Sequence, residues 1–171
     1  MKIDIRKQML QKRASLSLEE KEKADLRIIK RIQKDKRYQQ AQTVAIYYPM
    51  ETEINVLKLI NDDKTFLFPK VVGQEIVFYV FTPSMRFEKS AFGVNEPTRG
   101  VIYEKQIDFI VVPALAIDSN NHRIGYGKGF YDRYLLKHRP KTVIGVIYDF
   151  QEITHIDVTP LDQVLDGYVK G

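Results

Sequence analysis

The chain contains no cysteine. That excludes a disulfide framework, a zinc–thiolate site, an iron–sulfur cluster and a thiol nucleophile. No apolar run approaches the roughly 18–20 residues needed to cross a bilayer. Met1 to Leu10 has no apolar core of the secretory type and nothing resembles a lipidation signal, so a cytoplasmic protein without a membrane partner is expected. Internal repeats, low-complexity tracts and linkers are also missing. What remains is 171 residues, 44% hydrophobic and 29% charged. That is enough for one sizeable core, and a single domain over residues 1–171 is expected.

The net charge of +5 is unevenly distributed. Residues 1–40 hold 13 Lys/Arg against 6 Asp/Glu, whereas the remaining 131 hold 14 against 16. The basic balance therefore belongs to the opening segment, 1–38, which reads as helical and part of the same domain. Nucleic acid, a polyphosphate ligand or plain solvent each suit such a face. The segment lacks the interleaved aromatics on which bases stack, so no nucleic-acid partner is expected.

Periodicity organises the rest. Ile5, Met9, Leu10 and Ala14 form the stripe of a first helix. Ser17-Leu-Glu-Glu20 is a capping box for a second, carrying Ala24, Ile28 and Ile32 and fraying near Tyr38. Strands are predicted over Thr43–Tyr48, Thr65–Phe68, Ile76–Phe81, Asp108–Val112 and Thr142–Tyr148, with a last short one over Gln163–Tyr168. Ile54–Ile60 and Gly129–Lys137 read as helices, Phe87–Gly100 as irregular, and residues 114–128 as a long loop. This alternation predicts an α/β fold, a three-layer domain with a mixed, mostly parallel sheet flanked by helices.

One constellation stands out: Arg123-Ile-Gly-Tyr-Gly-Lys-Gly-Phe-Tyr-Asp132. Glycines at 125, 127 and 129 precede a helix, and that arrangement suits polyphosphate. Arg123 and Lys128 would neutralise phosphate oxygens, and Asp132 would hold an accompanying magnesium. Neither common nucleotide motif fits. Phe130 stands where a dinucleotide fingerprint needs Gly or Ala, and Gly129 stands where a P-loop needs Ser or Thr. A structural loop whose glycines only serve turns is the competing reading. The position beyond the strongest strand favours a ligand.

Tyr47-Tyr-Pro-Met-Glu-Thr-Glu53 leaves another strand end. There Tyr48 would stack on a flat heterocycle, and Glu53 would accept from its N–H groups. Taken alone, Glu53 reads as an exposed carboxylate, and Phe92-Gly-Val-Asn-Glu-Pro97 as a surface turn with an aromatic. The three histidines show no metal-ligand spacing, and no Ser-His-Asp arrangement is apparent.

These segments together resemble the 5-formyltetrahydrofolate cyclo-ligase family, also called methenyltetrahydrofolate synthetase. The most specific match is Gly125-Tyr-Gly-Lys-Gly-Phe-Tyr-Asp-Arg133, preceded by Val112-Pro-Ala-Leu-Ala-Ile-Asp118. Lys2-x-x-x-Arg6, Tyr48-Pro-Met-x-x-Glu53, Gly93-Val-Asn-Glu-Pro97 and Pro160-Leu-Asp162 follow the family order and spacing. The resemblance implies an ATP- and magnesium-dependent cyclisation of 5-formyltetrahydrofolate, with or without a polyglutamate tail. The products would be 5,10-methenyltetrahydrofolate, ADP and phosphate, formed through a phosphorylated formyl group.

It also implies roles. Lys2, Arg6 and the loop Arg123, Ile124, Gly125, Tyr126, Gly127, Lys128, Gly129, Phe130 and Tyr131 would bind ATP. Residues 127–131 of that loop, with Tyr48 and Glu53, would contact folate. Lys128 and Arg123 would be catalytic. Asp132 would hold magnesium with Asp157, or with Asp162 as the alternative. Tyr126 departs from the arginine common at its position, and Phe130 from a common tyrosine. The spacing of His155-Ile-Asp157-Val-Thr-Pro-Leu-Asp162 also differs from the family's.

Overall fold

A computed structural model describes residues 1–171. The chain opens with α1 (Lys2–Ala14), α2 (Leu18–Lys34) and the short α3 (Lys36–Gln40). The capping box forms as its sequence predicts. Glu20 N donates to Ser17 Oγ at 3.1 Å, and Ser17 N donates to Glu20 Oε1 at 3.1 Å. The second helix does not fray gradually. It stops at Asp35, which takes an extended conformation and accepts from Arg37 N at 2.8 Å, starting α3.

Strands β1 (Thr43–Ala45), β2 (Thr65–Val72), β3 (Glu75–Val80), β6 (Phe109–Pro113), β9 (Thr142–Ile147) and β11 (Gly167–Lys170) build the main sheet; β4 (Phe87–Lys89) and β5 (Asn95–Pro97) form a separate hairpin. The spatial order is β11-β9-β6-β1-β2-β3. Every join is parallel except the antiparallel β2–β3 pair, so the mixed, mostly parallel sheet is present.

Alternation along the strands explains the three layers. Val44, Phe66, Phe68, Phe109, Val111, Ile144 and Val146 face one side, where Ala24, Ile28, Ile29 and Ile32 of α2 cover them. Ala45, Leu67, Ile110, Val112, Val143 and Ile147 face the other side. There α4 (Phe130–Lys137) covers them with Leu135. Strands buried on both faces read as continuous apolar runs, hence the strength of the 108–112 signal. The first helix docks separately, placing Met9 against Leu115, Ala116, Ile124 and Ile156 at one rim.

Several expectations need correction. Residues 114–128 are not a plain loop, since β7 (Ala116–Asp118) and β8 (Arg123–Ile124) pair there antiparallel, and β10 (Glu152–Ile153) adds to β7 in parallel. Asp118 organises this side sheet. Its fully buried carboxylate accepts from the amides of Asn120, His122 and Ile156. The expected helix over Ile54–Ile60 is only a 3-10 turn, Leu57–Asn61. Its start is tied elsewhere, because Tyr47 Oη donates to Ile54 O and Asn55 Oδ1 accepts from Leu57 N. The irregular stretch after Phe87 contains the β4–β5 hairpin. The last strand covers Gly167–Lys170 and not Gln163–Tyr168; just before it the Asp166 amide donates to Val143 O and its side chain accepts from Val143 N.

Candidate active site

At the carboxyl ends of β1, β2 and β6 lies a cavity of about 400 Å³. That volume suits a small-molecule ligand, and the place is where parallel sheets bind them. Each wall follows from local structure. After Ala45 the chain leaves the sheet and brings Tyr47, Tyr48, Met50 and Glu53 to the rim. Pro69 and Val71 of β2 and Ile76 of β3 supply apolar floor, and the β4–β5 turn adds Phe92 and Val94. Lys2 and Arg6 enter from α1.

The glycine loop closes the remaining side, and it is tied down at several points. Arg6 Nε donates to Gly125 O at 2.8 Å, so the first helix holds the loop directly. Arg123 Nη1 donates to Pro113 O at 2.7 Å, and its guanidinium lies 5.5 Å from the centre of the Tyr131 ring. Arg133 Nε donates to Gln74 O and its Nη1 to Lys128 O, anchoring the loop to the β2–β3 turn. Gly127 has φ +97°, a region side chains disfavour. Lys128 is exposed and forms no ion pair; its ammonium lies 5.7 Å from the centre of the Phe92 ring.

Electrostatically the lining divides by chemistry. Lys2, Arg6, Arg123 and Lys128 supply positive charge, and Glu53, Glu96, Asp132 and Asp162 supply carboxylates. Burial pulls Arg123 down from the usual arginine range, with Asp132 opposing that shift. Burial works against the Asp162 charge too, but the Thr159 amide and Lys2, at 3.0 Å, hold its carboxyl below the ordinary value. Glu53 is 4% exposed, and burial raises its carboxyl above the usual range. The Met50 amide, Arg13 and the Tyr126 hydroxyl oppose that rise. Burial likewise pushes the hydroxyls of Tyr126 and Tyr131 upward, so both stay protonated.

Of the residues singled out in sequence, Lys2, Arg6, Tyr48, Glu53, Arg123 through Tyr131 and Asp132 all line this cavity. Asp157 does not. Its side chain is exposed and bonds the His155 ring at 2.9 Å, whereas Asp162 lines the cavity. Glu53 is not the exposed carboxylate that its isolated context suggests. Sequence reasoning passed over Pro69 and Val71, which lie beyond the strand expected over Thr65–Phe68 because β2 runs on to Val72, and Ile76, which reads only as part of a strand. It also passed over Arg13, whose place behind Glu53 has no local signature.

An α/β domain with phosphate-ready cations and a half-apolar cavity at its strand ends belongs to the class of small-molecule enzymes built on parallel sheets. Comparison with known proteins narrows this. The chain is 30% identical over 156 residues to the 5-formyltetrahydrofolate cyclo-ligase of Mycoplasma pneumoniae, spanning 86% of this chain and 85% of that one. It is 33% identical over 174 residues to its Mycoplasma genitalium counterpart, spanning 96% and 94%. The solved 5,10-methenyltetrahydrofolate synthetase of Aquifex aeolicus superposes with a TM-score of 0.87 at 33% identity, covering 99% of this chain and 89% of that one. The Mycoplasma pneumoniae synthetase structure gives 0.78 at 29%, covering 98% and 97%. The family's sequence model matches residues 1–170, and the chain belongs to the 5-formyltetrahydrofolate cyclo-ligase family, a family of ligases.

Proposed function

We propose that this chain uses ATP to convert 5-formyltetrahydrofolate into 5,10-methenyltetrahydrofolate, releasing ADP and phosphate. The folate conversion is the activity for which the family is named. ATP, magnesium and the phosphorylated formyl group are our own reading, and one observation carries it. Lys2, Arg6, Tyr48, Glu53 and the glycine loop, spread over residues 2 to 131, converge on one cavity.

In this reading the formyl oxygen attacks the γ-phosphorus of ATP and ADP departs. The neighbouring folate nitrogen then attacks the formyl carbon, the carbon–oxygen bond breaks, and phosphate leaves, taking up the proton that the nitrogen loses. An amide-like oxygen departs poorly as hydroxide and readily as phosphate, which is why ATP is needed. Lys2 and Arg6 hold phosphates. Lys128 and Arg123 meet the charge that develops on the transferring group. Holding the two substrates in line supplies much of the rate. Tyr48 faces the pterin ring, and Glu53 accepts from its N–H groups.

No cluster of three His, Asp or Glu side chains forms a self-sufficient metal cage. Asp132 and Asp162 on the cavity wall fit a different arrangement, in which magnesium is held by one or two carboxylates plus substrate phosphates. We assign them that role in place of Asp157. Magnesium bound there would neutralise charge on the phosphoryl group. No helix is long and apolar enough to cross a membrane, and we place the activity in the cytoplasm. Lys2 and Arg6 line the cavity, which supports reading the basic opening segment as facing a small-molecule partner.

The test is near-ultraviolet absorbance with magnesium, ATP and 5-formyltetrahydrofolate, with single-component omissions as controls. The methenyl band should grow only in the complete mixture. Growth without ATP, or ATP-dependent turnover that ignores folate, would refute the reading.

A further inference from the structure

We propose that Arg13 is a positioning residue: from α1, through the Tyr126 hydroxyl, it fixes the Glu53 carboxylate in the cavity wall and supplies its counter-charge. The proposal rests on the reading that Glu53 holds folate. Arg13 is 4% exposed, although it lies in the most basic part of the chain. Its Nη2 donates to Tyr126 Oη at 2.8 Å and to Thr52 Oγ1 at 3.0 Å. The Tyr126 hydroxyl in turn donates to Glu53 Oε2 at 3.2 Å, while Glu53 Oε1 accepts from Met50 N at 2.8 Å. Three segments far apart in sequence thereby meet at one carboxylate.

A folding role alone does not explain Arg13. It has no salt bridge, its hydrogen bonds go to neutral oxygens, and its buried Nε has no hydrogen-bond partner. An incompletely satisfied buried cation is destabilising, so an apolar side chain would serve packing better. Behind the active site, Arg13 and Glu53 share the wall of a second, very small cavity of about 10 Å³.

The groups around Glu53 define what Arg13 contributes. Tyr47 stands at the end of β1, Tyr126 in the loop, Tyr131 on α4 and Tyr148 after β9. All four have hydroxyls raised by burial and stay neutral. The strongest cationic influences on Glu53 are Arg13 from α1 and, after it, Lys21 from α2. Lys21 is already engaged with Asp25 at 2.7 Å. Arg13 is therefore the cation left to offset Glu53, and removing it favours the protonated carboxyl. A protonated Glu53 no longer accepts from substrate N–H groups at both oxygens.

The test is a carbon-13 NMR titration of the Glu53 carboxyl in the full chain, assigned by its loss in Glu53→Gln, alongside folate affinity as a function of pH. Arg13→Met should move the Glu53 midpoint upward. It should also weaken 5-formyltetrahydrofolate binding by roughly tenfold on the acid side, with little loss at alkaline pH. Arg13→Lys should recover part of both. Tyr126→Phe, which removes only the connecting hydroxyl, should raise the midpoint by a smaller step and serves if Arg13→Met does not fold. An unchanged midpoint in the folded Arg13→Met protein, or in Tyr126→Phe where only that variant folds, overturns the proposal. The other failure is separate. If the midpoint moves while Glu53→Gln binds folate as wild type does, Arg13 acts on Glu53 as proposed and the folate role of Glu53 falls.

Discussion

Consider a methyl group added at residue 125. The backbone of Gly125 is not in the left-handed region, so alanine is conformationally acceptable there. Its Cβ, however, would stand 2.8 Å from Arg123 Nη1 and 3.2 Å from Arg123 Cζ and Nη2. Arg123 cannot give way freely, because Nη1 is bonded to Pro113 O and the guanidinium lies against Tyr131. Relief of the clash requires breaking that charge-assisted bond, worth about 1.5–3 kcal/mol. If the loss is expressed in the transition state, turnover falls roughly 10- to 150-fold. The methenyl absorbance assay measures it, with thermal unfolding run in parallel to report the part that appears as stability. The decisive comparison is a double-mutant cycle. In an Arg123→Ala background there is no guanidinium to displace, so Gly125→Ala should be nearly silent. An equal penalty in both backgrounds means that the methyl acts on something other than Arg123, and the reasoning is wrong.

Other predictions concern charge. Lys128→Ala should lower kcat by at least tenfold while leaving the folate dissociation constant within about threefold, since Lys128 meets charge that develops only in the transition state; equal losses in both would make it a ground-state contact. Asp132→Asn and Asp162→Asn should each raise the magnesium concentration needed for half-maximal activity, and Asp157→Asn should not. A shifted magnesium titration in Asp157→Asn would reverse the assignment. Burial opposes the Asp118 charge, but the amides of His122, Ile156 and Asn120 and the His122 ring hold its carboxyl below the usual range. A depressed carboxyl stabilises fully above its unfolded value of about 3.9, and that contribution fades as pH falls through the lower folded value. Urea unfolding should therefore show a penalty for Asp118→Asn that is largest near neutrality and shrinks on acidification. A penalty that grows in acid contradicts the sign.

What the sequence displays well is whatever repeats locally. The capping box at Ser17 and Glu20 needs only four residues, and it forms. The buried run at 109–113 and the glycines before α4 are equally self-contained. Pairings set by distant partners are not displayed. The β7 strand is three residues long, and its parallel neighbour β10 lies beyond both α4 and β9, so no periodicity marks it. The site divides in the same way. The glycine loop is visible as a motif, but Glu53 is held by the Tyr126 hydroxyl and, through it, by Arg13, from elements after and before it. Arg13 reads as one more charge in a basic helix. Choosing Asp162 over Asp157 depends on which side of the 155–162 turn meets Lys2.

The separate docking of α1 bears on how the protein is made. This helix is synthesised before all of its resting places, Leu115, Ala116, Ile124 and Ile156, which come only after β6 in the chain. Gly125 and Asp162, which receive Arg6 and Lys2, are equally late. A nascent chain therefore carries Arg6 without Gly125, and Lys2 without Asp162, until those residues have been made. That side of the cavity therefore closes only after the 115–125 segment has been made, and a product cut short before residue 115 presents α1 as a basic helix with none of these partners.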